Sequence, residues 1–145
     1  MKAYADTGFL CSLYAPDAHS VRAVARMARQ SLPLPFLWLH QLELRNALRL
    51  RVFRSEITPA QRDASLNTLL ADLATGVLTS ANPALPEVMI EAERLSAIHS
   101  EKIGTRSLDI LHVSAALVLG VGEFLTFDQR QGALARAAGL KVPAL

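Results

Sequence analysis

Cysteine is almost missing from this chain of 145 residues, in which Cys11 is the single one. One cysteine cannot form an internal disulfide, so the domain must be held together by its core. Cys11 lies in an apolar helical stretch and is interpreted as a small core residue rather than as a nucleophile. The cysteine content agrees with a reducing compartment, and we expect a cytoplasmic protein.

Long hydrophobic runs are missing as well, and no secretory leader is expected. No apolar stretch approaches the roughly 20 residues that a membrane helix needs. The first residues lack a basic head followed by an apolar stretch and a small-residue cleavage site. We therefore expect no membrane association.

Several common site motifs are also missing. Gly120-Val121-Gly122 lacks the third glycine and the helix start of a phosphate-binding loop, and no Gly-x-Ser-x-Gly elbow is present. The four histidines lack zinc-ligand spacing. His112, on an apolar helix, is expected to be buried and hydrogen-bonded.

The composition is that of one folded domain. Hydrophobic residues make up 51% and charged residues 19% of the chain, which suits a single domain over residues 1–145 with one core. The net charge of +2, from 15 basic and 13 acidic residues, permits a nucleic-acid partner without requiring one.

Short apolar runs alternate with helical patterns along the whole chain. This alternation predicts an α/β fold: a three-layer α/β/α sandwich with a mainly parallel sheet of four to five strands. The predicted strands are Lys2–Ala5, Phe36–Leu39, Val77–Thr79, Glu123–Phe127 and an edge strand, Leu140–Val142.

Three helices carry informative apolar spacing. The second helix places Val21, Val24, Ala25 and Ala28 on one face. The helix over Leu42–Phe53 has a stripe of Leu44, Ala47, Leu48 and Val52. The helix over Pro86–Ser100 is predicted to bury Val88, Ala92, Leu95 and Ile98.

Four acidic residues occupy related places in this pattern. Asp6 and Asp128 each follow a predicted strand, and Glu43 and Asp109 lie near the starts of helices. Each alone could be a helix cap or a first-turn acid. In a parallel sheet these places share one edge, where four acids would repel one another unless a cation relieved them. The sequence therefore predicts that Asp6, Glu43, Asp109 and Asp128 bind a hard divalent metal ion.

These segments together resemble the PIN domain, and within it the VapC-like toxins of bacterial toxin–antitoxin pairs. The resemblance rests on Tyr4–Thr7, Glu43–Ala47, Ser107–Ala116, Leu125–Asp128 and Ala137–Val142, and it spans essentially the whole chain. Gly8 departs from it, since many members carry a small polar or branched residue there.

The resemblance implies a Mg²⁺- or Mn²⁺-dependent endoribonuclease that an antitoxin holds inactive, often as a homodimer. It implies that Asp6, Glu43, Asp109 and Asp128 are the acidic quartet and that Thr7 and Thr126 support it. Arg45, Arg49, Arg51 and Arg54 could contact RNA through charge or an antitoxin, or could form a solvated helix face.

Other readings remain open at this point. The same fold could serve as a catalytically weak module that binds RNA or protein. An aspartyl-phosphate hydrolase would need a second Asp two residues after Asp6, where Gly8 stands. A receiver-like domain would need a lysine at a late strand end, and Lys102 and Lys141 are poorly placed for that role.

Overall fold

A computed structural model describes residues 2–145 as an α/β protein. The strands are β1 (Ala3–Ala5), β2 (Leu34–Phe36), β3 (Leu78–Ser80) and β4 (Glu123–Leu125). The helices are α1 (Thr7–Tyr14), α2 (Ser20–Met27), α3 (Trp38–Phe53), α4 (Pro59–Thr75), α5 (Leu85–Leu95), α6 (Glu101–Ile103), α7 (Ser107–Val118) and α8 (Gln129–Ala137). The predicted α/β class with parallel strands is confirmed, and the strand count is four.

The fifth predicted strand, Leu140–Val142, is not formed as a strand. Lys141 makes only a parallel bridge to Glu123, and the backbone N–H of Phe124 donates to the Lys141 carbonyl at 2.8 Å. No helix within residues 2–145 is long and apolar enough to cross a membrane.

The contacts divide the chain into two compact units. Unit 1 comprises the N-terminal residues up to Asp6 together with Asn82–Leu145, and unit 2 is Thr7–Ala81. In unit 1, β1 and β4 are parallel, with Tyr4 opposite Phe124 and Ala5 opposite Leu125. The rings of Tyr4 and Phe124 stack with centroids 5.5 Å apart, and both side chains are fully buried.

In unit 2, β2 and β3 are parallel, with Leu34 opposite Leu78. Helices α1 and α4 are tied by Tyr14, whose hydroxyl donates to Asp72 Oδ2 at 2.6 Å. Burial, and then the Asp72 carboxylate, raise the pKa of Tyr14. Leu44 and Leu48 of the predicted α3 stripe are buried, whereas Ala47 and Val52 are only half-buried.

Helix ends follow local side-chain chemistry. Thr58 caps α4 by accepting from the Gln61 N–H, and Gly76 ends that helix with a φ of +83°, a conformation that glycine adopts without steric cost. Helix α3 begins four residues before the predicted Leu42, because His40 Nδ1 accepts the Leu37 N–H at 3.0 Å. The predicted strand Phe36–Leu39 therefore ends at Phe36.

Two helix faces differ from expectation. On α2, Ala23 is the buried residue, while Val21 and Val24 are 82% and 55% exposed. Ile98, predicted to be buried, is 44% exposed. It lies in the π-helical turn Ser96–Ser100 that follows α5, and a π-turn inserts an extra residue that rotates the following side chains.

Candidate active site

Asp6 and Thr126 meet at the ends of paired strands. The parallel register sets Ala5 opposite Leu125, and the Asp6 N–H extends the pairing by donating to the Leu125 carbonyl at 3.1 Å. The next side chains therefore come together, and the Thr126 hydroxyl donates to Asp6 Oδ2 at 2.5 Å. Asp6 is 7% exposed, so this bond orients a buried carboxylate.

Asp128 is linked to the same hydroxyl. Its backbone N–H donates to Thr126 Oγ1 at 3.0 Å, while its Oδ1 accepts the Gln131 N–H at 2.9 Å and caps α8. Within residues 2–145, Asp128 Oδ2 accepts no hydrogen bond. Thr126 thus joins two of the predicted acids, and the cap that Asp128 was also expected to form is present.

Asp109 lies in the first turn of α7. Its Oδ2 is 3.5 Å from Arg106 Nε, and the Arg106 side chain is 75% exposed. An ion pair this open to solvent contributes little stability. No partner in the described part of the chain contacts the other carboxylate oxygen, Oδ1, which leaves it available to a ligand.

Glu43 and Thr7 belong to unit 2. Thr7 Oγ1 donates to Glu43 Oε1 at 2.9 Å, and both side chains are at least partly shielded from solvent. Thr7 follows Asp6 directly in the chain. The two predicted supporting threonines therefore each hydrogen-bond one of the predicted acids.

The carboxylate oxygens of the candidate site meet some of the requirements of a hard divalent ion. Among residues 2–145, no three His, Cys, Asp or Glu side chains are grouped closely enough to hold a metal ion. Mg²⁺, however, takes only one or two carboxylates directly and keeps several waters. The Asp6 carboxylate and the Asp128 backbone both bond Thr126 Oγ1, and the unbonded Oδ2 of Asp128 is an oxygen donor that suits this smaller requirement.

His112 and Tyr4 form a buried pair in unit 1. Tyr4 Oη and His112 Nδ1 are 2.7 Å apart, and His112 is 2% exposed. The prediction of a buried, hydrogen-bonded histidine is confirmed. Its partner Tyr4 was not predicted, because the hydrogen bond joins residues 108 positions apart.

Gln131 is a polar residue that the sequence did not single out. It is 1% exposed, and neither atom of its side-chain amide has a hydrogen-bond partner among residues 2–145. Its place one turn before the buried Leu134 and Ala135 of α8 marks a core position. The sequence signal that could have found it is a glutamine on the apolar face of a predicted helix.

The four arginines that were predicted to contact RNA or an antitoxin differ in their contacts. Arg51 is already used within unit 2, since it donates to the Pro16 carbonyl at 2.9 Å and lies 3.4 Å from Glu56. Arg45 Nε is buried without a partner in the described residues. Arg49 and Arg54 are exposed, and neither has an ion-pair partner within residues 2–145.

Comparisons with known proteins agree on the fold. No family model matches the chain, and no curated protein matches it. Among solved structures, the Mycobacterium tuberculosis toxin VapC20, which cleaves the Sarcin–Ricin loop, is 17% identical over 97% of this chain and 98% of its own, with a TM-score of 0.71.

Two further structures match over nearly the full length. Rickettsia felis VapBC2, bound to a DNA fragment from its promoter, is 14% identical with a TM-score of 0.65 and covers 99% of this chain and 98% of that one. Neisseria gonorrhoeae FitAcB is 15% identical with a TM-score of 0.64 and covers 98% and 96%. The chain therefore has a PIN-like α/β fold. More particularly, it is the fold of the VapC-type toxin structures.

Proposed function

We propose that this chain is a metal-dependent endoribonuclease of the VapC type, the toxin of a bacterial toxin–antitoxin pair, acting in the cytoplasm as one domain over residues 1–145. The observation that carries the proposal is the Asp6–Thr126–Asp128 arrangement, in which Thr126 Oγ1 donates to the Asp6 carboxylate and accepts the Asp128 backbone N–H at the ends of paired strands. The fold shared with a toxin that cleaves the Sarcin–Ricin loop supports it.

We assign each proposed residue one role. Asp6 and either Asp109 or Asp128 would ligate Mg²⁺ or Mn²⁺ directly, with Glu43 acting partly through water and Thr7 orienting it. Thr126 orients the buried Asp6 carboxylate. A bound divalent ion would lower the pKa of a water molecule and offset negative charge on the phosphoryl oxygens.

The proposed partners are RNA, an antitoxin and a second copy of the chain. Single-stranded or looped RNA is the expected substrate, because its base edges are accessible. Arg49 and Arg54 are the arginines best able to meet a phosphate backbone, because no acid in the described residues neutralises them.

The test is cleavage of structured RNAs by the partner-free chain in Mg²⁺, Mn²⁺ or EDTA. We expect cleavage in the metal buffers alone. Asp6→Asn should reduce the rate by roughly 100-fold or more, and Thr126→Val by about 10- to 100-fold, because it loses only the orientation of Asp6. Asp63→Asn, which changes a carboxylate that is 61% exposed on α4, is the matched control and should cleave normally.

Full metal-dependent cleavage by Asp6→Asn would refute the assigned roles. Calorimetry adds a second readout: the folded wild-type chain should take up Mg²⁺ or Mn²⁺, and Asp6→Asn should bind either ion more weakly. If the wild-type chain neither cleaves nor binds these ions but still binds RNA, the chain is the catalytically weak binding module instead.

A further inference from the structure

A buried hydrogen bond joins strand β1 to helix α7. Tyr4 Oη and His112 Nδ1 are 2.7 Å apart, and the two rings meet edge to face with centroids 5.8 Å apart. Both side chains are covered by the rest of the chain, so neither can contact an RNA substrate. Any role that this pair has in the candidate site must therefore act through other residues of β1 and α7.

The pair is close in the chain to two of the candidate acids. Asp6 follows Tyr4 by two residues, so their side chains share one face of the extended chain. The Asp6 N–H still bonds the Leu125 carbonyl at 3.1 Å, so the extended geometry continues past β1. Asp109 precedes His112 by three residues in α7, and these two share one face of the helix. The face of β1 that carries Asp6 therefore meets the face of α7 that carries Asp109.

The direction of α7 brings both acids towards the same edge. The Gly122 N–H, just after α7, donates to the Lys2 carbonyl at 3.0 Å, so the end of α7 lies beside the start of β1. The helix therefore runs antiparallel to the strand. From the hydrogen-bonded pair, two strand residues advance about 6.6 Å to Asp6. Three residues back along α7 advance about 4.5 Å in the same direction to Asp109.

A metal site is sensitive to small errors in such a placement. Mg²⁺ demands near-octahedral geometry at roughly 2.0–2.1 Å from each oxygen, and its ligands must be held to within about 0.5 Å. Asp109 gains little restraint from its ion pair with Arg106, whose side chain is 75% exposed. The Tyr4–His112 bond lies one helical turn away from Asp109 and is shielded from water, so it can hold α7 at a fixed height on β1.

We propose that Tyr4 and His112 are positioning residues. Their hydrogen bond sets α7 against β1 so that Asp109 lies beside Asp6 as the second direct ligand of a divalent ion. The inference deepens the proposed metal site and rests on it, and it selects Asp109 over Asp128 for this position. Asp128 already uses Oδ1 to cap α8, which agrees with that choice.

Calorimetric titration of the full chain with Mn²⁺ measures the role. Tyr4→Phe keeps the ring that stacks on Phe124 and removes only the hydroxyl. It should weaken Mn²⁺ binding about tenfold, the lower end of the cost of losing an outer support. His112→Leu should weaken binding by a similar factor. His112→Asn can place a polar atom where Nδ1 stood, and it should recover part of the loss. The double variant Tyr4→Phe/His112→Leu should bind no more weakly than either single variant, because both remove the same bond.

Ser114→Ala is the matched control. Ser114 is a fully buried residue of α7, and its hydroxyl donates to the Ile110 carbonyl at 2.7 Å. Its loss removes a hydrogen bond of the same length within the helix and leaves the contact between α7 and β1 intact. Urea denaturation ranks the stability of every variant, and Mn²⁺ binding should weaken in the Tyr4 and His112 variants alone. Wild-type Mn²⁺ affinity in Tyr4→Phe would make the pair a core contact only and would overturn the proposal.

A metal-free measurement separates this inference from the proposed function. If Asp6 and Asp109 lie together, their carboxylates repel each other, so Asp109→Asn should raise the urea midpoint in EDTA. The same substitution should raise it less in Tyr4→Phe, where the acids are no longer held together. Loss of the exposed Arg106 ion pair is common to both backgrounds and cancels.

The metal-free result decides between two failures. An identical midpoint shift in both backgrounds would overturn the inference even if the wild type binds Mn²⁺. A wild type that takes up no Mn²⁺ but shows the larger shift would refute the proposed function and support the positioning of Asp109 by the Tyr4–His112 bond.

Discussion

The two compact units hold their charged side chains in different ways. All eight basic residues of unit 2 are arginines, set against five acidic residues, whereas unit 1 has seven basic and eight acidic residues. In unit 1, the Thr126 hydroxyl donates a hydrogen bond to the Asp6 carboxylate and accepts one from the Asp128 backbone N–H. In unit 2, Arg49 lies in water beside exposed apolar side chains. Unit 1 thus orients the Asp6 carboxylate by an internal bond, and unit 2 presents Arg49 and Arg54 to solvent.

The largest expected effect contrasts one phenylalanine from each unit. Phe124→Ala removes a fully buried ring that stacks on Tyr4, and it should lower the free energy of unfolding by about 3–5 kcal/mol. Phe53→Ala removes a ring that is 84% exposed and should change it by less than about 0.5 kcal/mol. Urea denaturation measures both. Equal losses would mean that the face of α3 that carries Phe53 is part of a core, and the comparison would fail.

A second prediction concerns the unbonded amide of unit 1. Gln131→Met keeps the length of a buried side chain and removes an amide without partners among residues 2–145. The free energy of unfolding should rise by about 1–3 kcal/mol, the cost of leaving such a group unsatisfied. Gln129→Met, on an exposed position of the same helix, should change it by less than about 0.5 kcal/mol. A loss of stability in Gln131→Met would show that the amide does have a partner.

The smallest effect tests the internal bond of unit 2. Tyr14→Phe loses the hydrogen bond to Asp72 and should cost about 1 kcal/mol at pH 7. Because burial raises the pKa of Tyr14 in the folded chain, its contribution is complete below the unfolded value near pH 10 and is lost as the pH rises beyond it.

Denaturation midpoints from pH 7 to 11 measure this dependence. The wild type should lose more stability than Tyr14→Phe above about pH 10, since only the wild type must keep the buried phenol neutral. Identical pH profiles for the two proteins would contradict the assignment and leave the contact between α1 and α4 without a role in stability.

Part of this fold was predictable because the order of strands and helices and the helix caps can be read directly from the sequence. The alternation of strands and helices implied parallel strands, and a parallel register brings the residues after Ala5 and Leu125 together. Asp6 and Thr126 were therefore predictable as neighbours. Asp128 and Thr58 were predictable as caps, since a cap acts within one helical turn.

The exposed face of α2, the start of α3 and the exposure of Ile98 depended on information that the spacing of apolar residues does not contain. The apolar row of α2 has a helical period, yet Val21 and Val24 face water, because periodicity says which residues share a face and not what covers it. The early start of α3 required a histidine ring nitrogen to act as the cap acceptor. The exposure of Ile98 followed from a π-turn, which no heptad-like pattern indicates.

The pairing of β1 with β4 has a consequence for synthesis. Residues 3–5 leave the ribosome early, but their partners Glu123–Leu125 are made more than a hundred residues later. Unit 2 is continuous from Thr7 to Ala81 and needs no such delay. A nascent or prematurely terminated chain that stops before Thr126 cannot orient Asp6 through that hydroxyl. Ribosome-bound intermediates and early-stop fragments should therefore be inert in any reaction that requires this contact.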